Sequence, residues 1–228
     1  VLVDLPKDIT AGIAAARAMR HLSAPESNQA NQIAKVKALL ASAKKPLLYV
    51  GGGVAMAGAE SELRRFMRDT RIPAVYTLKA KGTVDHRDDL DLGMLGMHGT
   101  PASNFAVQEC DLLVVLGARF DDRATGKLST FAPHAKVIHC DIDAAEIGKL
   151  RKVDATLDGR FAEYLPALVQ DLDIDDWRRH CQQMKAKYPE RYDAPGEKVF
   201  APDFLRKLSL ASDNSIVCSD VGQHQMWV

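Results

Sequence analysis

Leu47-Leu48-Tyr49-Val50 is a short apolar run that ends in three glycines, Gly51-Gly52-Gly53. A run of this length without polar alternation is typical of a strand that is buried on both faces, as in a parallel sheet. The same arrangement, an apolar strand followed by a glycine or polar turn and a helix, repeats along the chain. It predicts a doubly wound α/β fold with a mainly parallel sheet and flanking helices.

The elements of this pattern can be placed along the chain. Strands are predicted at residues 47–50, 74–78, 112–116 and 136–139, and helices at 29–42, 60–69 and 101–109. Thr100 and Pro101 suit the start of the last of these helices, as its N-cap and its first-turn proline. Asp143 followed by Glu146 resembles a capping box and predicts a further helix that begins there.

The two ends of the chain differ from its middle in residue composition and in the pattern of apolar residues. Residues 1–12 are interpreted as the end of a preceding domain, and the small and polar residues 13–28 as a linker. The central domain is predicted at 29–173. Residues 174–228 are interpreted as a second linker and the beginning of another domain, with a charged amphipathic segment at 177–187, a helix at 202–210 and a strand at 215–219.

The composition limits the possible functions. The chain has 46% hydrophobic and 26% charged residues, as globular proteins do, and its 30 basic residues balance 30 acidic ones. Without a basic excess, neither nucleic acid nor a membrane surface is an expected partner. The 4 cysteines form no CxxC pair and predict reduced, mostly buried thiols. No apolar run approaches the roughly 20 residues that span a bilayer, and a cytoplasmic location is expected.

Gly51-Gly52-Gly53 has two possible roles. The glycines could let backbone amides approach a diphosphate, because no Cβ stands in the way. The run matches neither the GxGxxG fingerprint of dinucleotide-binding domains nor the lysine-containing loop of nucleoside triphosphatases. A tight turn between a strand and a helix explains the glycines equally well.

Gly117-Ala118-Arg119-Phe120-Asp121-Asp122-Arg123 follows the most apolar of the predicted strands. Open α/β sheets bind ligands at this edge. Arginine side chains there could hold a diphosphate through paired hydrogen bonds, and the aspartates could orient a ribose. Salt bridges among these same residues, on a solvated loop, are the alternative.

Two further loops are candidates for ligand binding. Asp141 ends the next strand and can accept hydrogen bonds from ribose hydroxyls, whereas Asp143 is better explained as a helix cap. Leu95-Gly96-Met97-His98-Gly99 is apolar around one histidine and could lie along a flat ring. No carboxylate pair, catalytic triad or metal cluster emerges from the spacing, so no catalytic or metal-binding residue is predicted.

Four strings in the chain resemble acetolactate synthase, a thiamine-diphosphate-dependent enzyme family also called acetohydroxyacid synthase. They are Leu48-Tyr49-Val50-Gly51-Gly52-Gly53, Gly93-Met94-Leu95-Gly96-Met97-His98-Gly99, GARFDDRATGK at 117–127, and Val221-Gly222-Gln223-His224-Gln225-Met226-Trp227. They occur in the family's order over nearly the whole chain. The resemblance implies a Rossmann-like central domain and a parent enzyme that decarboxylates pyruvate and condenses it with pyruvate or 2-oxobutyrate in branched-chain amino-acid synthesis.

The resemblance also implies cofactors and the residues that contact them. FAD, which does no net redox chemistry in the family, is expected in the central domain, and thiamine diphosphate with Mg²⁺ in the whole enzyme. The implied FAD contacts are Gly52, Thr77, Leu78, Leu95, Gly96, Met97, His98, Gly117, Ala118, Arg119, Phe120, Asp121, Asp141 and Ile142. Val221, Gly222, Gln223 and His224 are expected to contact thiamine diphosphate, and Asp122 and Arg123 to line the substrate channel. One departure is Arg160, where the family more commonly has an aspartate, which puts the contact with the adenosine end in doubt.

The resemblance places the family's catalytic glutamate before Val1 and its magnesium-binding motif after Val228. The chain alone is therefore expected to be inactive and to contain no catalytic residue. The parent is expected to act on 2-oxoacids, to form a homo-oligomer and to bind a regulatory subunit. Two alternatives remain open: a nucleotide-binding sensor or scaffold without synthase activity, and a related thiamine-diphosphate enzyme whose central domain binds ADP.

Overall fold

A six-stranded sheet lies at the centre of the computed structural model, which describes residues 29–190, 192, 199–212 and 215–227. The strands are β1 Pro46–Val50, β2 Ala74–Tyr76, β3 Asp91–Met94, β4 Leu112–Leu116, β5 Lys136–Asp141 and β6 Ala155–Asp158. All neighbouring strands are parallel, in the order β3-β2-β1-β4-β5-β6. This is the order of a doubly wound dinucleotide-binding sheet, so the predicted α/β class is confirmed. The predicted domain end at 1–12 and the linker at 13–28 lie outside the described residues.

Helices cover both faces of the sheet. They are α1 Gln29–Ser42, α2 Gly52–Met56, α3 Glu60–Thr70, α4 Pro101–Glu109, α5 Asp122–Thr125, α6 Phe161–Leu168, α7 Asp175–Lys187 and α8 Ala201–Ala211. The crossovers from β1 to β2 and from β3 to β4 run in opposite directions along the sheet. Because such crossovers are right-handed, they place α3 and α4 on opposite faces. α1 and α3 pack with α6, and α4 packs with α7.

The core lies on both sides of the two central strands. Every residue of β1 and of β4 is buried, as the continuous apolar runs predicted. The start of α4 is also as predicted, since the Thr100 hydroxyl accepts a hydrogen bond from the N–H of Ser103 at 3.1 Å and Pro101 occupies the first turn.

α7 belongs to the same core as the sheet. Trp177 and Cys181 on this helix, and Ile174 just before it, are at most 3% exposed. The indole Nε1 of Trp177 donates a hydrogen bond to the carbonyl oxygen of Pro46, 2.8 Å away, at the start of β1. The change in composition near residue 173 therefore marks no break in packing.

The cysteines are free thiols. Cys110, Cys140 and Cys181 are buried, and Cys218 is exposed. Burial raises the pKa of the Cys110 and Cys140 thiols to about 12. These two side chains therefore stay protonated and unreactive at neutral pH, as expected of buried structural thiols.

The strand ends differ from the predicted ones. β2 ends at Tyr76 rather than at residue 78, because the chain enters a 3₁₀ turn, Leu78–Ala80, directly after the last ladder bond, from the N–H of Thr77 to the carbonyl of Val50 (3.0 Å). β5 continues to Asp141, which pairs with Asp158 of β6. The edge strands β3 and β6 and the helix α6 were not predicted.

No helix begins at Asp143, so that prediction is wrong. The Asp143 Oδ1 accepts a hydrogen bond from the N–H of Ala145 at 2.9 Å and forms a local turn. The carboxylate of Glu146 pairs with Lys149 at 2.7 Å instead of returning to the cap. Gly148 then adopts a φ of +73°, which ends any helical path.

The predicted strand at 215–219 is also wrong. These residues form neither helix nor strand, and Ile216 is 93% exposed. Within the described residues no strand lies beside them to supply the hydrogen bonds that a strand needs. The helix predicted at 202–210 is confirmed as α8. The described part of the chain contains no helix with the length and apolarity required to cross a bilayer.

Candidate functional site

A cavity of about 950 Å³ opens at the carboxyl ends of β1 and β4. The strand order reverses between these two neighbours, and open α/β sheets bind ligands at such a switch point. The predicted FAD contacts that line the cavity are Gly52, Thr77, Leu78, Leu95, His98, Gly117, Ala118, Arg119, Asp121, Asp141 and Ile142. Loops that follow five different strands, β1 to β5, therefore meet at one site.

The floor of the cavity is a contact between two glycine turns. The N–H of Gly53, after β1, donates to the carbonyl of Gly117, after β4, at 3.0 Å. A Cβ on Gly51 would lie 2.1 Å from the carbonyl oxygen of Gly117, and a Cβ on Gly117 would lie 2.7 Å from the Cα of Gly53. Gly51 and Gly53 thus allow the two loops to touch, and all three glycines border the cavity.

The side chain of Asn104 on α4 makes two hydrogen bonds to the apolar loop after β3. Its Oδ1 accepts a hydrogen bond from the N–H of Gly96 at 2.9 Å, and its Nδ2 donates to the Gly96 carbonyl at 3.0 Å. Leu95 and His98 line the cavity, whereas Gly96 and Met97 do not, and Met97 is 67% exposed. Asn104 therefore fixes the backbone from which His98 reaches the site.

We expect Asn104→Ala to lower the free energy of unfolding by about 2 kcal/mol, because it removes two hydrogen bonds and leaves the N–H of Gly96 without an acceptor. Gln108→Ala, at an exposed position of the same helix, is the control and should change it by less than about 0.5 kcal/mol. Urea unfolding measures both. Amide hydrogen exchange at Gly96 should quicken only in Asn104→Ala, and equal protection in the two variants would contradict this role.

Phe120 lies behind the cavity wall rather than on it. Its side chain is 3% exposed, and its ring packs edge-on against those of Tyr49 and His139, with centroid distances of 5.8 Å and 5.4 Å. Its φ of +56° is unusual for a phenylalanine. Because its neighbours Arg119 and Asp121 do line the cavity, Phe120 anchors the loop that carries them.

Two buried polar side chains stand beside this loop. The Nε2 of His139 donates to the carbonyl of Ala118 at 2.9 Å, and its Nδ1 accepts from the N–H of Gly148 at 3.4 Å. Burial lowers the pKa of His139, so the neutral ring that suits both bonds is favoured. The Tyr49 hydroxyl has no hydrogen-bond partner among the described residues, and burial, followed by the charge of Asp121, raises its pKa.

The charged residues after β4 do not pair with one another. The Asp121 Oδ1 accepts a hydrogen bond from the N–H of Arg123 at 3.0 Å and caps α5. Asp122 lies outside the cavity, in a neighbouring groove. Arg119 and Arg123 are exposed and line the cavity, and within the described ranges neither has an ion-pair partner. The alternative of mutual salt bridges therefore does not describe this loop.

The far side of the cavity is formed by the ends of β5 and β6. The Asp141 Oδ1 accepts a hydrogen bond from the N–H of Asp143 at 2.9 Å, and Ile142 is 76% exposed at the rim. Arg160, which follows β6, also lines the cavity. The lining residues not predicted from the sequence include Met56, Lys79 and Glu146. Lys79 follows a strand by a few residues, which is the signal that could have identified it.

The segment expected to contact thiamine diphosphate lies apart from these loops. Val221, Gln223 and His224 are exposed, and neither they nor Gly222 line the cavity, although the nearby Met226 does. In the part of the chain that the structure describes, no group of three or more His, Cys, Asp or Glu side chains is placed to hold a metal ion.

Comparisons with known proteins agree with this architecture. Residues 33–168 match the family model described as the central domain of thiamine pyrophosphate enzymes. The chain is 50% identical to the acetolactate synthase isozyme 2 large subunit of Escherichia coli, over 100% of this chain and 42% of that protein. It is 42% identical to the acetolactate synthase large subunit of Corynebacterium glutamicum, over 100% of this chain and 39% of that protein. The chain thus spans well under half the length of these relatives. It belongs to the thiamine pyrophosphate enzyme family, and residues 33–168 are a central domain of that family.

Proposed function

We propose that this chain is part of an acetolactate synthase, which decarboxylates pyruvate and condenses it with a second 2-oxoacid, pyruvate or 2-oxobutyrate, in branched-chain amino-acid synthesis. Relatives that carry this name and are similar over the whole chain support the proposal. Thiamine diphosphate and Mg²⁺ would serve the whole enzyme. A regulatory subunit is part of the same proposal, since the relatives are named as large subunits. A homo-oligomer and a cytoplasmic location are proposed together with it.

The role proposed for the central domain is to bind FAD in the cavity at the switch point. The observation that carries this role is the exposed side chain of Arg119, which lines a cavity of about 950 Å³ and has no ion-pair partner among the described residues. Pockets that enclose small ligands and cofactors have volumes of about 300–1,000 Å³, and guanidinium groups bind phosphate through two parallel hydrogen bonds. An elongated nucleotide with a diphosphate at its centre fits this arrangement.

Each part of the cavity has its own task in this proposal. Arg119 binds the diphosphate beside the glycine floor, and Asp141 accepts hydrogen bonds from the ribose. Leu95 and His98 lie along the flavin ring. FAD, when bound, would carry out no net redox chemistry. Its role would be structural, as part of the site that surrounds the reacting groups. Asp122 and Arg123 are proposed to line the substrate channel, and Val221, Gly222, Gln223 and His224 to contact thiamine diphosphate.

We expect Arg119→Ala to weaken the binding of FAD and of ADP alike, by about tenfold, because hydrogen bonds to a charged group contribute about 1.5–3 kcal/mol. Quenching of flavin fluorescence measures the first affinity, and calorimetric titration the second. Arg68→Ala, at an exposed position of α3 outside the cavity, is the matched control and should change neither.

The same titrations test the proposal as a whole. An ADP affinity that Arg119→Ala leaves unchanged would contradict the placement of the diphosphate. ADP that binds while FAD does not would favour the alternative of an adenine-nucleotide-binding module without synthase activity. For the enzyme, acetolactate formation from pyruvate with thiamine diphosphate, Mg²⁺ and FAD should be measured on the product of the complete reading frame.

A further inference from the structure

Lys79 lines the cavity, and its charge has no ion-pair partner within the described part of the chain. The side chain is exposed. The three carboxylates that line the cavity follow β4 or β5, whereas Lys79 follows β2, and β1 lies between β2 and β4. These carboxylates belong to Asp121, Asp141 and Glu146. The positive charge of Lys79 is therefore available to a ligand of the cavity.

The backbone of Lys79 lies against the first of the two glycine turns that form the floor, Gly51-Gly52-Gly53. A Cβ on Gly52 would lie 2.9 Å from the Cβ of Lys79 and 3.6 Å from its carbonyl oxygen. The Lys79 side chain thus starts at the edge of the floor that faces β2. Arg119 follows β4 and starts at the opposite edge. Two cationic side chains therefore flank the floor, one on each side.

The order of the strands indicates which half of a dinucleotide lies beside Lys79. Along the carboxyl edge of the sheet the order is β3-β2-β1-β4-β5. In the proposed FAD complex, Leu95 and His98 after β3 lie along the flavin ring, and Asp141 after β5 binds the ribose of the adenosine. A diphosphate above the floor, at β1 and β4, then has its flavin-side phosphate toward Lys79 and its adenosine-side phosphate toward Arg119.

We propose that Lys79 binds the flavin-side phosphate, so that Lys79 and Arg119 hold the two phosphates of the diphosphate from opposite sides of the glycine floor. This inference rests on the proposed FAD site. An ammonium group suits this part, because it is a compact charge with three donors on a flexible stem. The cavity is consequently expected to prefer a nucleotide with two phosphates to one with a single phosphate, since only the first contacts both cations.

ADP and AMP test this inference, because they differ by the phosphate that corresponds to the flavin side of FAD. Calorimetric titration of the full 228-residue chain should show that Lys79→Met weakens the binding of ADP and of FAD about tenfold. The affinity for AMP should stay within about twofold. Methionine keeps most of the length of the side chain and removes its charge. Arg119→Ala, by contrast, is expected to weaken the binding of all three ligands.

Lys81→Met is the matched control, since Lys81 is also exposed and lies two residues further along the chain, outside the cavity. It should change each affinity by less than about twofold, which separates a direct bond from the general effect of one positive charge. An unchanged ADP affinity in Lys79→Met, an equal loss for AMP, or an equal loss in Lys81→Met would overturn this inference. The effect of Arg119→Ala would then still support the proposed site. Failure of both ADP and FAD to bind would overturn the nucleotide site itself and the inference with it.

Discussion

Gly51→Ala is expected to lower the free energy of unfolding by about 3 kcal/mol, at the upper end of what overpacking costs. A Cβ at this position would lie 2.1 Å from the Gly117 carbonyl oxygen and 2.5 Å from the Cα of Ala118. Both atoms belong to the backbone and cannot move aside as the end of a side chain can. The substitution therefore forces apart the loops that follow β1 and β4, and urea unfolding followed by circular dichroism measures the loss.

Gly58→Ala is the control that separates crowding from backbone strain. Gly58 has a φ of +62° but nothing within 4 Å of a Cβ, whereas Gly51 has a φ of −104°, which any residue can adopt. Left-handed backbone costs about 1–2 kcal/mol, so Gly58→Ala should destabilise the protein less than Gly51→Ala. If Gly58→Ala destabilised the protein more than Gly51→Ala, the contact between the two loops would not be as tight as the structure indicates.

Trp177→Ala is expected to destabilise the protein by about 3–5 kcal/mol, as removal of a buried aromatic side chain usually does. The indole is 3% exposed, stacks on His180 and donates a hydrogen bond to the carbonyl of Pro46. Trp177→Phe keeps most of the packing and loses the hydrogen bond, so its cost should be nearer 1–2 kcal/mol. Unfolding followed by circular dichroism avoids reliance on tryptophan fluorescence.

Trp227→Ala supplies a matched control, because that tryptophan is 45% exposed. We expect it to change the free energy of unfolding by less than about 1 kcal/mol. Equal and small effects of the two alanine substitutions would mean that α7 does not unfold together with the sheet. A single cooperative transition, lowered only by the changes at Trp177, would place α7 within the domain.

The central strands were predictable from the sequence because their burial on both faces leaves continuous apolar runs. The edge strand β3, Asp91–Met94, contains an aspartate and a glycine and is defined mainly by its pairing with β2. α6 contains Pro166, which interrupts the helical pattern. The side chain of Asp143 does accept a backbone hydrogen bond, as a helix cap would, but this bond supports a turn instead of a helix. Short edge elements depend on contacts that the local sequence does not contain.

The location of the candidate site was predictable, since polar and glycine turns after the strands must meet at the carboxyl edge of a parallel sheet. The direction of each side chain was not. Phe120 lies within the loop yet its ring points into the core, because a positive φ turns it away from its neighbours. Asn104 acts on Gly96 from a separate helix, a relation that depends on how α4 lies against the loop.

The floor made by Gly51, Gly53 and Gly117 has a consequence for how this site can diversify. Its surface consists of main-chain atoms, and its residues have almost no permitted replacements, since a Cβ at any of the three would lie 2.8 Å or less from another backbone atom. Substitutions that change which ligand the cavity binds are therefore expected mainly among the side chains at its rim, such as Ile142 and Arg160. Paralogues with different ligands should keep the glycines and vary there.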